Sequence, residues 1–177
     1  IPDLLESDDD GDGILSINEV YGANTDPLLE NSDTDGVPDF RDNDDDDDSV
    51  LTVNELARNT DGDLLVDHRD NDDDGEGLPT ILEVYGANTD PLLDDSDGDL
   101  VPDFRDDDDD DDTVLTIDEG AGALPSTAQD TDGDTIADYL DTDDDADGIP
   151  TAEEFYGLAT HPSEQDSDSD LVLDYLD

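Results

Sequence analysis

The sequence predicts a mostly irregular, loop-rich fold: an elongated rod of tandem repeats with short helical turns and little hydrophobic core. Three observations carry that expectation. The chain holds 60 Asp and Glu against four arginines (Arg41, Arg58, Arg69 and Arg105) and no lysine, a net charge of −56 on 177 residues, and only 31% of it is hydrophobic. Such a composition normally stays disordered, and self-repulsion keeps it expanded unless cations neutralise it. The acids nevertheless recur at fixed spacing, which a disordered tract does not need. There is also no cysteine, so disulfides cannot replace the missing core.

The repeat is the first element to justify, because a period fixes the architecture before any local propensity does. A unit of 25 positions carries acids at 1, 3, 5, 9, 12, 14, 16, 18 and 25, and four complete copies span 31–55, 59–83, 95–119 and 130–154. All 36 of these positions are filled, 34 by acids and two by the asparagines Asn31 and Asn59. Partial copies cover 1–19 and 166–177, and the segments 20–30, 56–58, 84–94, 120–129 and 155–165 are spacers. Residues 3–55 resemble 67–119 at an offset of 64, so two kinds of unit alternate. Asp3 and Glu6 occupy the unit positions of Asp174 and Asp177, and the sequence therefore reads as a window on a longer array.

The second half of each unit has the ligand order of an EF-hand loop: oxygens at alternate residues, then a closing glutamate, which is the arrangement Ca²⁺ takes. Five such closing loops run 8–19, 44–55, 72–83, 108–119 and 143–154. Loop positions one, three and five supply Asp8, Asp10 and Asp12; Asp44, Asp46 and Asp48; Asp72, Asp74 and Glu76; Asp108, Asp110 and Asp112; and Asp143, Asp145 and Asp147. Position seven offers a backbone carbonyl from Ile14, Val50, Leu78, Val114 and Ile149, and position twelve is always Glu19, Glu55, Glu83, Glu119 or Glu154. Asp45 and Asp47 fall between ligand positions and are left to solvent or to neighbouring ions. Position six is Gly13, Gly77 and Gly148 in three loops but Ser49 and Thr113 in two, which predicts weaker calcium or a different turn there.

The first half of each unit lacks the closing glutamate. Its candidate ligands are Asn31, Asp33, Asp35, Asp39 and Asp42; Asn59, Asp61, Asp63, Asp67 and Asp70; Asp95, Asp97, Asp99, Asp103 and Asp106; Asp130, Asp132, Asp134, Asp138 and Asp141; Asp166, Asp168, Asp170, Asp174 and Asp177; and, in the opening fragment, Asp3 and Glu6. This half ends two residues before the closing loop begins, close enough for one carboxylate to bridge adjacent ions. About two or three Ca²⁺ per unit follow at roughly six to eight oxygens per ion.

These motifs, D-x-D-x-D-G-x-x-D-x-x-D joined to D-x-D-x-D-G, resemble the thrombospondin type 3 repeat. The spacers that follow Glu19 and Glu83, reading Tyr-Gly-Ala-Asn-Thr-Asp-Pro from Tyr21 and from Tyr85, look like the bacterial versions of that family. The resemblance covers nearly the whole chain. It implies a calcium-wrapped, loop-rich rod in an extracellular or cell-surface protein. The animal members carry disulfides, which this chain lacks.

The remaining elements are short. Helical turns are expected near 17–21, 53–57, 81–85 and 152–156, with Ser16, Thr52, Thr80, Thr116 and Thr151 as N-caps and Gly22, Gly86 and Gly157 as stops. Phe40, His68, Phe104, Tyr139 and Tyr175 share one unit position and read as packing residues against Tyr21, Tyr85 or Tyr156, with Arg41, Arg69 and Arg105 following as local counter-charges. His68 and His161 are the only histidines, too few for a zinc site in a chain without cysteine. Ser32, Thr60, Ser96, Thr131 and Ser167 occupy unit position two and are expected to point outward as polar turn residues, O-glycosylation being the sharper alternative.

Function classes narrow accordingly. Phosphates would be repelled, so no nucleic-acid partner is expected. No apolar run is long enough for membrane insertion. A calcium sensor needs helix pairs and a Met-rich groove, and the chain has no methionine. No nucleophile-with-base constellation or phosphate loop argues for an enzyme. The expectation is a structural array that calcium folds, self-associating end to end or side by side in a fibre; the alternative is an adhesive stalk that presents a surface to a ligand or matrix.

Overall fold

The computed structural model describes residues 7–19, 26–56, 58–84, 90–119, 128–154, 166–167 and 169–177. Among them there is no strand, and helical structure comes only in pieces of three or four residues. The chain divides into two units, 1–73 with 79–81, and 74–78 with 82–177, the boundary running through the third closing loop.

Both loop types are built by one device. At position nine the backbone N–H reaches back to the carbonyl of the residue just before the loop, as in Asp39 to Glu30 (3.1 Å) and Thr52 to Asn43 (3.1 Å). The position-nine side chain in turn accepts the N–H of position two. In the closing loops a hydroxyl does this: Ser16 for Asp9, Thr52 for Asp45, Thr80 for Asp73, Thr116 for Asp109 and Thr151 for Asp144. In the first loops an aspartate does it and also takes the position-two hydroxyl. The pairs are Ser32 with Asp39, Thr60 with Asp67, Ser96 with Asp103, Thr131 with Asp138 and Ser167 with Asp174. The position-two residues Thr60, Ser96, Thr131 and Ser167 are exposed, as expected of polar turn residues, while their hydroxyls donate to a carboxylate. One difference from the sequence reading follows. The position-nine Ser and Thr close their loops: α1 (Thr52–Glu55) is preceded by Leu51 with no side-chain cap.

The turns follow from this closure. Each described first loop ends in one 3₁₀ turn, Asp39–Arg41, Asp67–Arg69, Asp103–Arg105, Asp138–Leu140 and Asp174–Leu176. Closing loops end in α1, α2 (Thr80–Glu83), or the 3₁₀ turns Thr116–Glu119 and Thr151–Glu153. Residues 16–18 of the first closing loop make a turn without helix. Two further 3₁₀ turns, Pro27–Leu29 and Pro91–Leu93, start at a proline; the preceding Asp26 and Asp90 accept the N–H of Leu28 and Leu92. The glycine stops Gly22, Gly86 and Gly157, and the rings of Tyr21, Tyr85 and Tyr156, lie outside the described residues.

Left-handed backbone recurs in both loop types at glycine and at other residues alike. Ser49 and Thr113 keep φ of 83° and 82°, beside 99°, 102° and 94° at Gly13, Gly77 and Gly148. The different turn expected at Ser49 and Thr113 is therefore not formed. The loop imposes the conformation, because Asp48 and Asp112 accept the N–H of Val50 and Val114 across it (2.7 and 2.8 Å). At Gly13 and Gly77 glycine has a second reason. A β-carbon would lie 3.1 Å from Leu56 Cδ1 at the first and 3.0 Å from Ile117 Cδ1 at the second.

Burial is inverted relative to an ordinary domain. Among the described residues, 18 Asp and Glu are buried against eight hydrophobic residues. The apolar contribution is small and repetitive. Val50, Leu78 and Val114 at position seven are fully buried, and Leu78 packs with Ala137 and Tyr139. Phe40, His68, Phe104, Tyr139 and Tyr175 are all buried at their shared position, with Arg41 and Arg105 lying 4.7 and 4.4 Å over the rings of Phe40 and Phe104. At about 1.5–3 kcal/mol for each large buried side chain, so few cannot offset the ordering of so long a chain.

Candidate metal centres

Carboxylates are almost never fully buried unless something pairs with them. Here 18 are buried, and the whole chain offers only four arginines. How the loops dispose of their oxygens shows where a cation fits. Asp12 gives Oδ1 to the N–H of Ile14 (2.7 Å), while its Oδ2 is buried without a hydrogen bond. Asp10, Asp110 and Asp112 divide their oxygens in the same way. One oxygen holds the loop and the other is turned inward, together with Glu19 and Glu55, neither of whose carboxylate oxygens has a hydrogen bond.

In the unit that begins the chain, Asp46, Asp48, Glu55 and Asp73 form one buried group, and Asp12, Glu19 and Asp45 another. In the second unit Asp110, Asp112, Glu119 and Asp144 form a third. Within each group the facing oxygens lie within 4.8 Å of one another. Two oxygens on opposite sides of a Ca²⁺ ion, at about 2.3–2.6 Å each, are separated by just that span. Asp8, Asp10 and Asp12 also converge, and in a more open setting so do Asp33, Asp35 and Asp42 of a first loop. The donors are all hard oxygens, which is compatible with Ca²⁺ as with other hard divalent cations. Several acidic groups are thus placed to hold a metal ion.

Of the two places the sequence leaves open for Asp45, solvent or neighbouring ions, burial excludes the first: Asp45 is 1% exposed, and Asp73, Asp109 and Asp144 at the same loop position are 1–2% exposed. Asp45 joins the group of Glu19, Asp73 that of Glu55, and Asp144 that of Glu119. Position four behaves otherwise: Asp47 and Asp111 are exposed. The signal in the sequence was present as an unbroken acid at position two of all five closing loops, and only the fold says where it points. Both oxygens of the first-loop aspartates Asp39, Asp67, Asp103, Asp138 and Asp174 hold the position-two residue. Asp3, Glu6 and Asp168 lie outside the described residues.

Crowding these groups without a cation is electrostatically costly. Burial, then the neighbouring Asp48, Asp46 and Asp73, pushes Glu55 up to about 11. Burial, then Asp112, Asp110 and Asp144, pushes Glu119 up to about 12. Asp45 is raised to about 9 by burial and by Asp39 and Glu19, and Asp109 to about 10 by burial and by Asp103, Glu76 and Asp74. A carboxyl whose folded pKa lies above its unfolded one stabilises the fold only while protonated. That contribution is complete below the unfolded values of 3.8–4.5 and is lost as pH rises toward 9–12. Metal-stripped protein is therefore expected to be more ordered at pH 4 than at pH 7. Protons displace a bound cation, so metal-loaded protein should show the opposite trend. Near-UV circular dichroism of the buried Tyr139 and Tyr175 across this range reads both; parallel pH profiles with and without metal would contradict the assignment. His68, by contrast, is lowered to about 4 by burial and by Arg69, and stays neutral.

No family model and no curated protein matches this chain. Among the described residues no helix is long and apolar enough to cross a membrane.

Proposed function

We propose that this chain is a calcium-dependent structural array, in which successive loops wrap Ca²⁺ and the ions take the place of a hydrophobic core. The observation that carries the reading is the gathering of buried carboxylates, among the described residues, into groups whose oxygens lie within 4.8 Å, in a chain with only four arginines. The closing glutamates and the aspartates at positions three and five would hold the buried ions. Asp33, Asp35 and Asp42 would hold a more exposed one. Such an array would extend as a rod, in the manner of repeat proteins whose units contact only their neighbours. We place it outside the cell or at its surface, where calcium is abundant and extracellular modules bind at about 10⁻⁴–10⁻³ M. The likeness to thrombospondin type 3 repeats, and assembly into a fibre, belong to the same proposal. The adhesive alternative would gain from an exposed row of rings, but the five residues at that position are buried.

Ion counting tests the proposal. Equilibrium dialysis at millimolar Ca²⁺ is expected to find several ions per chain, retained against equal Mg²⁺, which demands a tighter octahedron and dehydrates reluctantly. A chain that binds no Ca²⁺ at 10 mM, about ten times the weak end of that affinity range, would sink the reading.

A further inference from the structure

We infer that the ion of a closing loop is held by two loops. The position-two aspartate of the next closing loop is a ligand of the preceding loop's ion, so affinity at one loop is set by the loop that follows it. This rests on the calcium reading above and adds to it a ligand and a direction.

Asp45 is the clearest case. It belongs to the loop 44–55, but its carboxylate lies within 4.8 Å of Asp12 and Glu19 in the loop 8–19. It is 1% exposed, and neither of its oxygens has a hydrogen bond. Its own loop fixes it there through the backbone, since Thr52 takes its N–H at 3.1 Å. A buried anion locked at that distance from two others is repulsive unless a cation lies between them. Asp144 repeats the arrangement toward Asp110, Asp112 and Glu119, and neither of its oxygens has a hydrogen bond. Asp109, at the same loop position, is likewise buried with neither oxygen hydrogen-bonded.

The direction is the same each time: the donor lies in the later loop and the ion in the earlier one. First loops cannot take part, because their position-two residue is a Ser or Thr bonded to position nine. Donation of the ligand along the array therefore runs one way, from each closing loop to the one before it.

Hydrogen-exchange mass spectrometry of the full chain in calcium tests this. Asp45→Asn keeps the shape and the Thr52 bond but removes the charge. It is expected to weaken calcium-dependent protection in residues 8–19, with an affinity loss of about tenfold or more there, and to spare 44–55. Asp144→Asn should likewise strike 108–119 and spare 143–154. The exposed Asp47→Asn should change neither loop. Loss of protection in the mutated loop instead of the preceding one, or in neither, overturns the inference. If calcium protects no loop even in the unmutated chain, the calcium reading itself fails. A chain that calcium protects but that is indifferent to Asp45→Asn defeats only the two-loop ligand.

Discussion

Dialysis against EGTA is expected to convert the folded chain into an expanded coil. The radius of gyration should rise toward the roughly 45 Å of an unfolded chain of this length, or beyond it, given the charge. The expectation follows from what the interior consists of. With eight buried hydrophobic residues and 18 buried acids among the described residues, removing cations removes the attraction that offsets both chain entropy and carboxylate repulsion. The loss should be steep and reversible on adding calcium back, since ligand binding is here folding energy. X-ray scattering with near-UV circular dichroism makes the measurement. Profiles unchanged by chelation would mean that the loops hold without ions.

The second large effect is expected at Glu119. Glutamine preserves its volume but leaves a single neutral oxygen where a bidentate anion stood. Calcium affinity at the loop 108–119 should fall about 100-fold, roughly 2.7 kcal/mol, which is comparable with breaking other buried charge networks. The ion-free chain should respond in the opposite sense. Glu119 is 1% exposed and faces Asp112, Asp110 and Asp144, so Glu119→Gln relieves repulsion there. Urea midpoints of variant and unmutated protein should therefore cross: the variant lower in calcium and equal or higher without it. Asp111→Asn is the control, since Asp111 is exposed with φ of 55°, a conformation asparagine adopts readily. A Glu119→Gln chain with unaltered calcium dependence would remove this residue from the site.

Much of this was legible beforehand because ligands impose spacing. Alternation at loop positions one, three and five, with glutamate at twelve, is a geometric requirement of wrapping a chain around one point. The groups around Glu55 and Glu119 contain the residues at positions three, five and twelve, and the group around Glu19 those at five and twelve. Two things were not legible. Ser and Thr at position nine looked like helix caps, since a hydroxyl before a helical turn usually is one; here the stronger demand is the N–H of position two, seven residues back. The place of Asp45 stayed open between solvent and a neighbouring ion, because spacing within one loop says nothing of a contact with another. The missing glycines misled for a related reason. Local preference argues against φ of 84° at Leu100 or 82° at Thr113 and costs about 1–2 kcal/mol, but a turn fastened at several points overrides it.

The inverted interior has a bearing on how such a chain survives before it folds. An ordinary unfolded domain carries its core with it as sticky side chains and must conceal them quickly. On the calcium reading, this chain carries mainly anions to its interior, and much of what fills that interior is drawn from solution. Until cations arrive, a charge of −56 holds neighbouring chains apart. Folding would then be timed by ion concentration, and each added repeat would lengthen the array without adding to its tendency to aggregate.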